Sequence, residues 1–289
     1  MSFDAAQEYA RRHKLHALLV VQNGTLLLEE YAGGFAREEA HPLYSGAKSF
    51  WGVTAVAAQD DGLFQLDEPV AQTIESWQDG ALRSQVTLRH LLQLTSGIRF
   101  GGLGRAVPTF DKSVSSDITA VPGTKFTYGG IPLQVFGAVL QRKLVGRGLS
   151  PHAYLQKRIL NPIGMCITRW RTLPDGTSPL PTGAFVTARE WLKFGQFVLQ
   201  KGLWNNKPVV RGRSLATCFE GSSANPKYGL GFWLRPAERP ADIVYASGSG
   251  GQALYIIPSL KTMVVHFGNS ASYRHAVFLK KLLQDFGLA

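Results

Sequence analysis

The stretch Tyr44-Ser45-Gly46-Ala47-Lys48-Ser49-Phe50-Trp51-Gly52 decides how the rest of the chain is read. It follows two strand-like segments and a bend containing Gly33, Gly34 and Pro42. It opens an apolar run, Phe50 to Ala58, that reads as a buried helix. A helix starting near Ser45 puts Ser45 and Lys48 on one face, close enough for their side chains to interact. Two readings are open at this point. Ser45 is a helix N-cap followed by an ordinary surface lysine, or it is a nucleophile whose proton a neighbouring amine helps to remove.

Upstream, Phe3 to Lys14 reads as a short amphipathic helix. His16 to Gln22 and Thr25 to Tyr31 are apolar segments joined by Asn23-Gly24, a strong hairpin signal. Downstream, Asp67-Glu68-Pro69-Val70 reads as a turn into a short helix running through Trp77. Thr87 caps a helix over Leu88 to Leu94, which Thr95-Ser96-Gly97 stops. His90 sits in that leucine-rich helix with no Cys, Asp or second His nearby in sequence, so it reads as structural. Residues 98–127 are rich in Gly, Ser and Pro and read as a long surface or active-site loop.

Helices follow over Gly129 to Val145, with Pro132 in the first turn, and over Tyr154 to Ile159, closed by Asn161-Pro162. Pro174 to Gly183 is loop. Thr187 caps Ala188 to Gln200, with Glu190 placed to complete a capping box. After Pro226 the pattern returns to strands: Tyr228 to Leu234, Ile243 to Ala246, and a hairpin of Gln252 to Ile257 and Thr262 to Phe267 around Pro258 to Lys261. Ala276 to Phe286 closes the chain as an amphipathic helix. Neither the front nor the back strands make a stable sheet alone. The expected fold is therefore α+β: one antiparallel sheet flanked by the terminal helices, with a mostly helical subdomain inserted. Its boundaries are residues 1–50 and 224–289 for the sheet and 51–223 for the helical part.

Composition fits a globular chain of 289 residues with 45% hydrophobic content. The formal net charge of +11 would suit an anionic partner, but Lys and Arg are scattered and not interleaved with aromatics. Nucleic-acid binding is not expected, and the charge reflects solvated faces with some bias toward anionic substrates. No segment has the continuous apolar length of a membrane span. The polar start with Asp4 does not fit a secretory signal peptide. Two cysteines, Cys166 and Cys218, make no disulfide framework and are expected to be buried thiols, which suggests a cytoplasmic protein. No metal-ligand cluster or nucleotide glycine loop is apparent, so neither a metal nor a cofactor is expected.

Three places could share one site. The first is Ser45 with Lys48. The second is Tyr128, placed after the long loop and before a helix, unless it is simply a core aromatic. The third is Tyr245-Ala246-Ser247-Gly248-Ser249-Gly250-Gly251-Gln252. Its small residues let a substrate approach the backbone and leave N–H groups for an oxyanion, or they form a twisted turn between strands.

The ordered set Ser45-Gly-Ala-Lys48, Tyr128-Gly-Gly130 and Ala246-Ser-Gly248-Ser-Gly-Gly resembles the serine beta-lactamase and penicillin-binding-protein superfamily, whose serine motif is S-x-x-K. It is most similar to the class C-like branch of family VIII-type esterases, D-amino-acid peptidases and aminohexanoate-oligomer hydrolases. Leu66-Asp67-Glu68-Pro69-Val70, Leu88 to Gly97, Asn161 to Met165 and Tyr228 to Trp233 also look like that family. The resemblance implies that Ser45 forms an acyl-enzyme, that Lys48 eases its deprotonation, and that Tyr128 exchanges protons with the serine and the leaving group. It implies an oxyanion hole from the backbone N–H groups of Ser45 and Ser249. Gly130, Ala246, Ser247, Gly248, Gly250 and Gly251 would border the substrate.

Two positions depart from the pattern. Gly130 stands where the tyrosine motif often ends in Asn. Ala246 stands where beta-lactamases have Lys and many esterases have His. Both changes weaken the case for efficient beta-lactam hydrolysis. The expected activity is a serine hydrolase on small-molecule esters or amides, with carboxylesterase ahead. The alternatives are an amidase, D-aminopeptidase or aminohexanoate-oligomer hydrolase, a weak beta-lactamase, and a non-catalytic binding protein retaining the fold.

Overall fold

The Asn23-Gly24 turn shows how local sequence sets the sheet. In the computed structural model, which describes residues 2–99, 107–235 and 240–288, both turn residues have positive φ, 50° and 78°. That is the twist a two-residue hairpin needs. It joins β1 (Leu15–Gln22) to β2 (Thr25–Tyr31) in antiparallel register. At the other end of the chain, β8 (Trp233–Leu234), β9 (Val244–Gly248), β10 (Gln252–Ile257) and β11 (Thr262–Gly268) form a meander. β11 pairs antiparallel with β1, so both chain ends meet in one six-stranded sheet of order β2-β1-β11-β10-β9-β8.

Both faces of this sheet are covered. Ala253, Tyr255 and Ile257 of β10 face one core with Leu18, Val20 and Val264. Helices α1 (Asp4–Arg12) and α9 (His275–Asp285) supply Ala6, Tyr9, Phe278 and Leu282 to that layer. The alternate residues Leu254 and Ile256 enter the larger core, beside Trp191 and Phe194 of α7 (Ala188–Leu199). Burial on both sides explains why β10 reads as an unbroken apolar run.

The larger core continues into the helical part. Helix α2 (Lys48–Asp60) is buried along nearly its whole length among α3 (Leu88–Leu92), α5 (Ile131–Leu144) and α6 (Pro151–Leu155). Short α4 (Phe110–Val114) and α8 (Gly212–Ala216) complete the helical set. Two smaller β elements lie outside the main sheet. β3 (His41–Pro42), β4 (Arg169–Trp170) and β5 (Ala184–Val186) form a three-stranded sheet, and β6 (Leu203–Trp204) pairs with β7 (Lys207–Pro208).

Several local expectations are corrected. The segment from Asp67 to Trp77 forms two 3-10 turns, Val70–Gln72 and Glu75–Trp77, rather than one helix. The expected strand Tyr228 to Leu234 is reduced to Trp233–Leu234. Gly231 takes φ +78°, and its Cβ position lies 2.4 Å from the Lys48 carbonyl, so a side chain there would collide with the start of α2. Thr187 does cap α7, accepting the Glu190 N–H. The Glu190 carboxylate, however, is taken by the Cys166 N–H and by Lys193, so the capping box is left half made. Cys218 is buried, but Cys166 is exposed. The expected 98–127 loop contains α4 and a bridge between Ile98 and Ile118. Its residues 100–106 lie outside the described part.

Candidate active site

Ser45 lies not in the α-helix but in a 3-10 turn, Tyr44–Ala47, that runs into α2 at Lys48. Tyr44 has φ +48°, a left-handed conformation that costs a non-glycine residue on the order of 1–2 kcal/mol. Packing holds it there. The Leu43 N–H bonds to Ala184, and the Leu43 carbonyl lies only 2.0 Å from where a Gly248 Cβ would sit. Any residue larger than glycine at 248 would push β9 away from Ser45. A second tight crossing fixes α2 from behind: a Gly52 Cβ would meet the Leu230 carbonyl at 1.9 Å.

On this base, Lys48 is only 2% exposed, and its Nζ donates to Ser45 Oγ at 2.8 Å. The same Nζ lies 3.5 Å from Tyr128 Oη and 4.7 Å from the centre of its ring. Tyr128 precedes α5 and is set by an aromatic cluster. It stacks on Trp233 at 5.5 Å and meets Tyr228 edge-on at 6.0 Å. Burial, and next the proximity of Tyr128, push the Tyr228 phenol well above its usual range, so it stays protonated. Lys48 Nζ therefore links Ser45, three residues before it in the same stretch, to Tyr128 at the end of a distant loop.

Ser45 and Tyr128 line a cavity of about 980 Å³, of a size for a drug-sized ligand. Ser247, Gly248 and Ser249 of the third stretch line it too. The remaining residues expected at the substrate lie elsewhere. Ala246 is fully buried in the larger core, because successive strand residues face opposite sides. Gly130 caps α5, with its Cβ position 3.1 Å from Pro181. Gly250 and Gly251 form the positive-φ turn after Ser249, and a Cβ on Gly251 would meet the Tyr273 ring.

Residues that sequence reasoning did not single out complete the walls. Gln134, wholly buried in α5, donates to the Pro108 carbonyl and accepts the Leu180 N–H, tying down the loops that carry Val107 and Pro179. Arg171 and Thr182 are on the same wall, joined by a 3.0 Å hydrogen bond. On the other side, Ser247 Oγ lies 2.8 Å from His275 Nε2, and His275 Nδ1 lies 2.6 Å from Tyr255 Oη. Burial, and then the charge of Arg235, push the His275 pKa down to about 4, so the ring is neutral at neutral pH. No local pattern could have found His275, which opens the terminal helix and meets the cavity only through the fold. His90 is structural: it accepts the Thr87 N–H and closes the cap of α3.

The beta-lactamase family profile matches residues 7–285. The chain belongs to the beta-lactamase family. No curated protein matches it. Among solved structures, this family member is similar to a Bacillus anthracis protein carried under the provisional name 6-aminohexanoate-dimer hydrolase. The TM-score is 0.83 at 22% identity, over 98% of this chain and 82% of the other. It is also similar to a provisional beta-lactamase from Bacteroides dorei DSM 17855, with TM-score 0.82 at 20% identity, over 98% and 97% of the two chains. A third is EstCE1, a hydrolase with promiscuous acyltransferase activity, with TM-score 0.77 at 15% identity, over 97% of each chain. At these identities the likeness is one of fold, and it agrees with the α+β architecture of the family. Among the described residues, no helix is long and apolar enough to cross a membrane, and no group of three or more His, Cys, Asp or Glu side chains could hold a metal ion.

Proposed function

We propose that this protein is a serine hydrolase that cleaves small esters through an acyl-enzyme on Ser45. The observation that carries the reading is that Lys48 Nζ reaches both Ser45 Oγ and Tyr128 Oη, and that these two residues line a cavity. Ser45 Oγ attacks the substrate carbonyl while its proton passes to the Lys48–Tyr128 pair. The oxyanion is held by the backbone N–H groups of Ser45 and Ser249, and losing one such donor typically costs about 3 kcal/mol. Tyr128 returns a proton to the leaving group, which departs to leave the acyl-serine. Water then attacks the acyl carbon as the same pair takes its proton, and the pair hands that proton to Ser45 Oγ as the acyl–oxygen bond breaks.

Esters stand ahead of amides because the alkoxide or phenoxide of an ester leaves more readily. A fluorophosphonate probe tests the nucleophile. The expected result is one adduct, located on Ser45 by peptide mass spectrometry and absent from Ser45→Ala. Folded protein that takes no label at Ser45 overturns the assignment. A panel of p-nitrophenyl esters, aryl amides and a chromogenic cephalosporin then ranks the substrates, and faster turnover of the cephalosporin than of every ester overturns the preference.

A further inference from the structure

One buried amide holds two loop segments at a fixed spacing. Gln134 Nε2 donates to the Pro108 carbonyl at 2.7 Å, and Gln134 Oε1 accepts the Leu180 N–H at 2.8 Å. Among the described residues neither of these backbone groups has another partner. Pro108 and Leu180 both lie outside helices and strands, so no ladder sets the gap between them. Gly130 and Gly137 share a helix face with Gln134 and seat the same segments. The Gly130 Cβ position lies 3.1 Å from Pro181 and 3.8 Å from Val107, and that of Gly137 lies 2.5 Å from the Phe110 ring and 2.8 Å from Leu180. Trp51 of α2 completes the hold, its Nε1 donating to the Leu180 carbonyl at 2.7 Å.

These two segments stand between two cavities. Val107 and Pro179 line the one that holds Ser45 and Tyr128. Phe110 and Leu180 line a second cavity of about 620 Å³, together with Leu149, His152 and Trp170. Thr172 lines both. The Gln134 amide grips the partition where each segment passes from one cavity to the other. The Pro108 carbonyl lies between Val107 and Phe110, and the gripped N–H belongs to the peptide that joins Pro179 to Leu180. Gln134 itself lines neither cavity.

We propose that Gln134 determines which esters this site accepts, by holding that partition shut. Acyl chains are confined to the cavity at Ser45, and short-chain esters are preferred to long ones. This rests on the ester-hydrolase reading and adds a chain-length limit to it. Gln134 is a positioning residue, acting on the substrate only through the wall it fixes.

The test is the ratio of kcat/KM for p-nitrophenyl laurate to that for p-nitrophenyl butyrate. The wild-type protein favours butyrate. Gln134→Met keeps a similar length and shape but makes neither hydrogen bond, so the Pro108 carbonyl and the Leu180 N–H are left unpaired and the partition loosens. The ratio then rises by about tenfold or more, the scale of one lost hydrogen bond, while kcat for butyrate changes by less than about threefold. Adding Leu149→Trp, which fills the second cavity, cancels the rise, and Leu149→Trp alone leaves the ratio unchanged. Trp51→Phe releases only the Leu180 carbonyl, gives a smaller rise of the same sign, and carries the test if Gln134→Met does not fold. A wild-type preference for laurate overturns the proposal while leaving the hydrolase reading standing. So does equal loss of turnover for both esters in Gln134→Met, or a rise that survives Leu149→Trp. Amide hydrogen exchange reads the wall without turnover: in Gln134→Met, peptides covering residues 107–110 and 179–183 lose protection together. Unchanged protection in either segment overturns the proposal even where no ester is hydrolysed, whereas failure of Ser45 labelling breaks the hydrolase reading instead.

Discussion

Two of the serines that line the cavity, Ser45 and Ser247, are each hydrogen-bonded to a basic side chain at the same distance. Ser45 Oγ lies 2.8 Å from Lys48 Nζ, and Ser247 Oγ lies 2.8 Å from His275 Nε2. Distance alone would make both candidate nucleophiles. Their settings differ. Ser45 sits on a strained turn at the foot of a buried helix, with Tyr128 close to the same amine. Ser247 sits in an extended strand, and its histidine is gripped from behind by Tyr255. A base whose pKa is pushed down to about 4 is a weak acceptor for a serine proton. The comparison teaches that the basic partner's surroundings, more than its distance, set apart the serine proposed to react from its neighbour in the cavity.

The sharpest way to break this contrast is to exchange the losses. Ser45→Ala should reduce ester turnover to background, a fall on the order of 10⁵-fold or more, with the far-UV spectrum unchanged. Ser247→Ala should cost roughly tenfold, mostly in KM. If steady-state kinetics show the larger loss at Ser247, the roles are reversed. Lys48→Ala should approach Ser45→Ala in severity, and Tyr128→Phe should slow kcat by about 10²–10⁴-fold if its hydroxyl moves the proton. Little change in kcat on losing that hydroxyl would remove Tyr128 from the reaction.

A smaller effect probes how the two serines are held together. Gly248→Ala places a methyl group 2.0 Å from the Leu43 carbonyl, so β9 and the Ser45 turn must separate. Denaturant titration should show a loss of about 1–3 kcal/mol, the usual cost of overpacking, and activity should fall further than stability. Unaltered stability and activity would mean that the two segments slide apart freely.

The mildest test is pH. His41, His152 and His275 have their pKa values pushed down to about 4, and His266 to about 3, with burial the leading cause in each. An unfolded histidine binds its proton below about pH 6.5, while these folded ones do not until about pH 4 or lower. The unfolded state therefore holds more protons in that window, and stability rises with pH through it. Stability is full above about pH 6.5 and falls as pH drops, by about 1.4 kcal/mol per unit for each such group. A melting temperature that stays level between pH 7 and pH 4.5 would contradict the neutral, buried state of His275 on which the Ser247 contrast depends.

Local chemistry made much of this molecule legible. Asn23-Gly24 announced the first hairpin, Thr187 the start of α7, and the apolar strands at both chain ends one shared sheet. The order of Ser45, Lys48 and Tyr128 announced a family, because a side chain three residues along a turn is in reach whatever the rest of the chain does. Other features had no local signature. The Tyr228 to Leu234 segment reads as strand by composition, yet Gly231 bends it because the Lys48 carbonyl lies against it. Ala246 and Ser247 are neighbours in sequence, but the pleat sends one into the core and the other to the cavity. Arg171 and His275 reach the site from a loop and from the start of the last helix, and only sheet closure between β1 and β11, with the packing it carries, brings such distant segments together. The sequence by itself determined the pairing of Ser45 with Lys48, since that depends on residue type and short spacing, while Tyr128, 80 residues further on, was singled out by resemblance alone. The tertiary structure alone decided the walls around it, since which side chains share a cavity depends on contacts between segments with no periodic or spacing relation to one another.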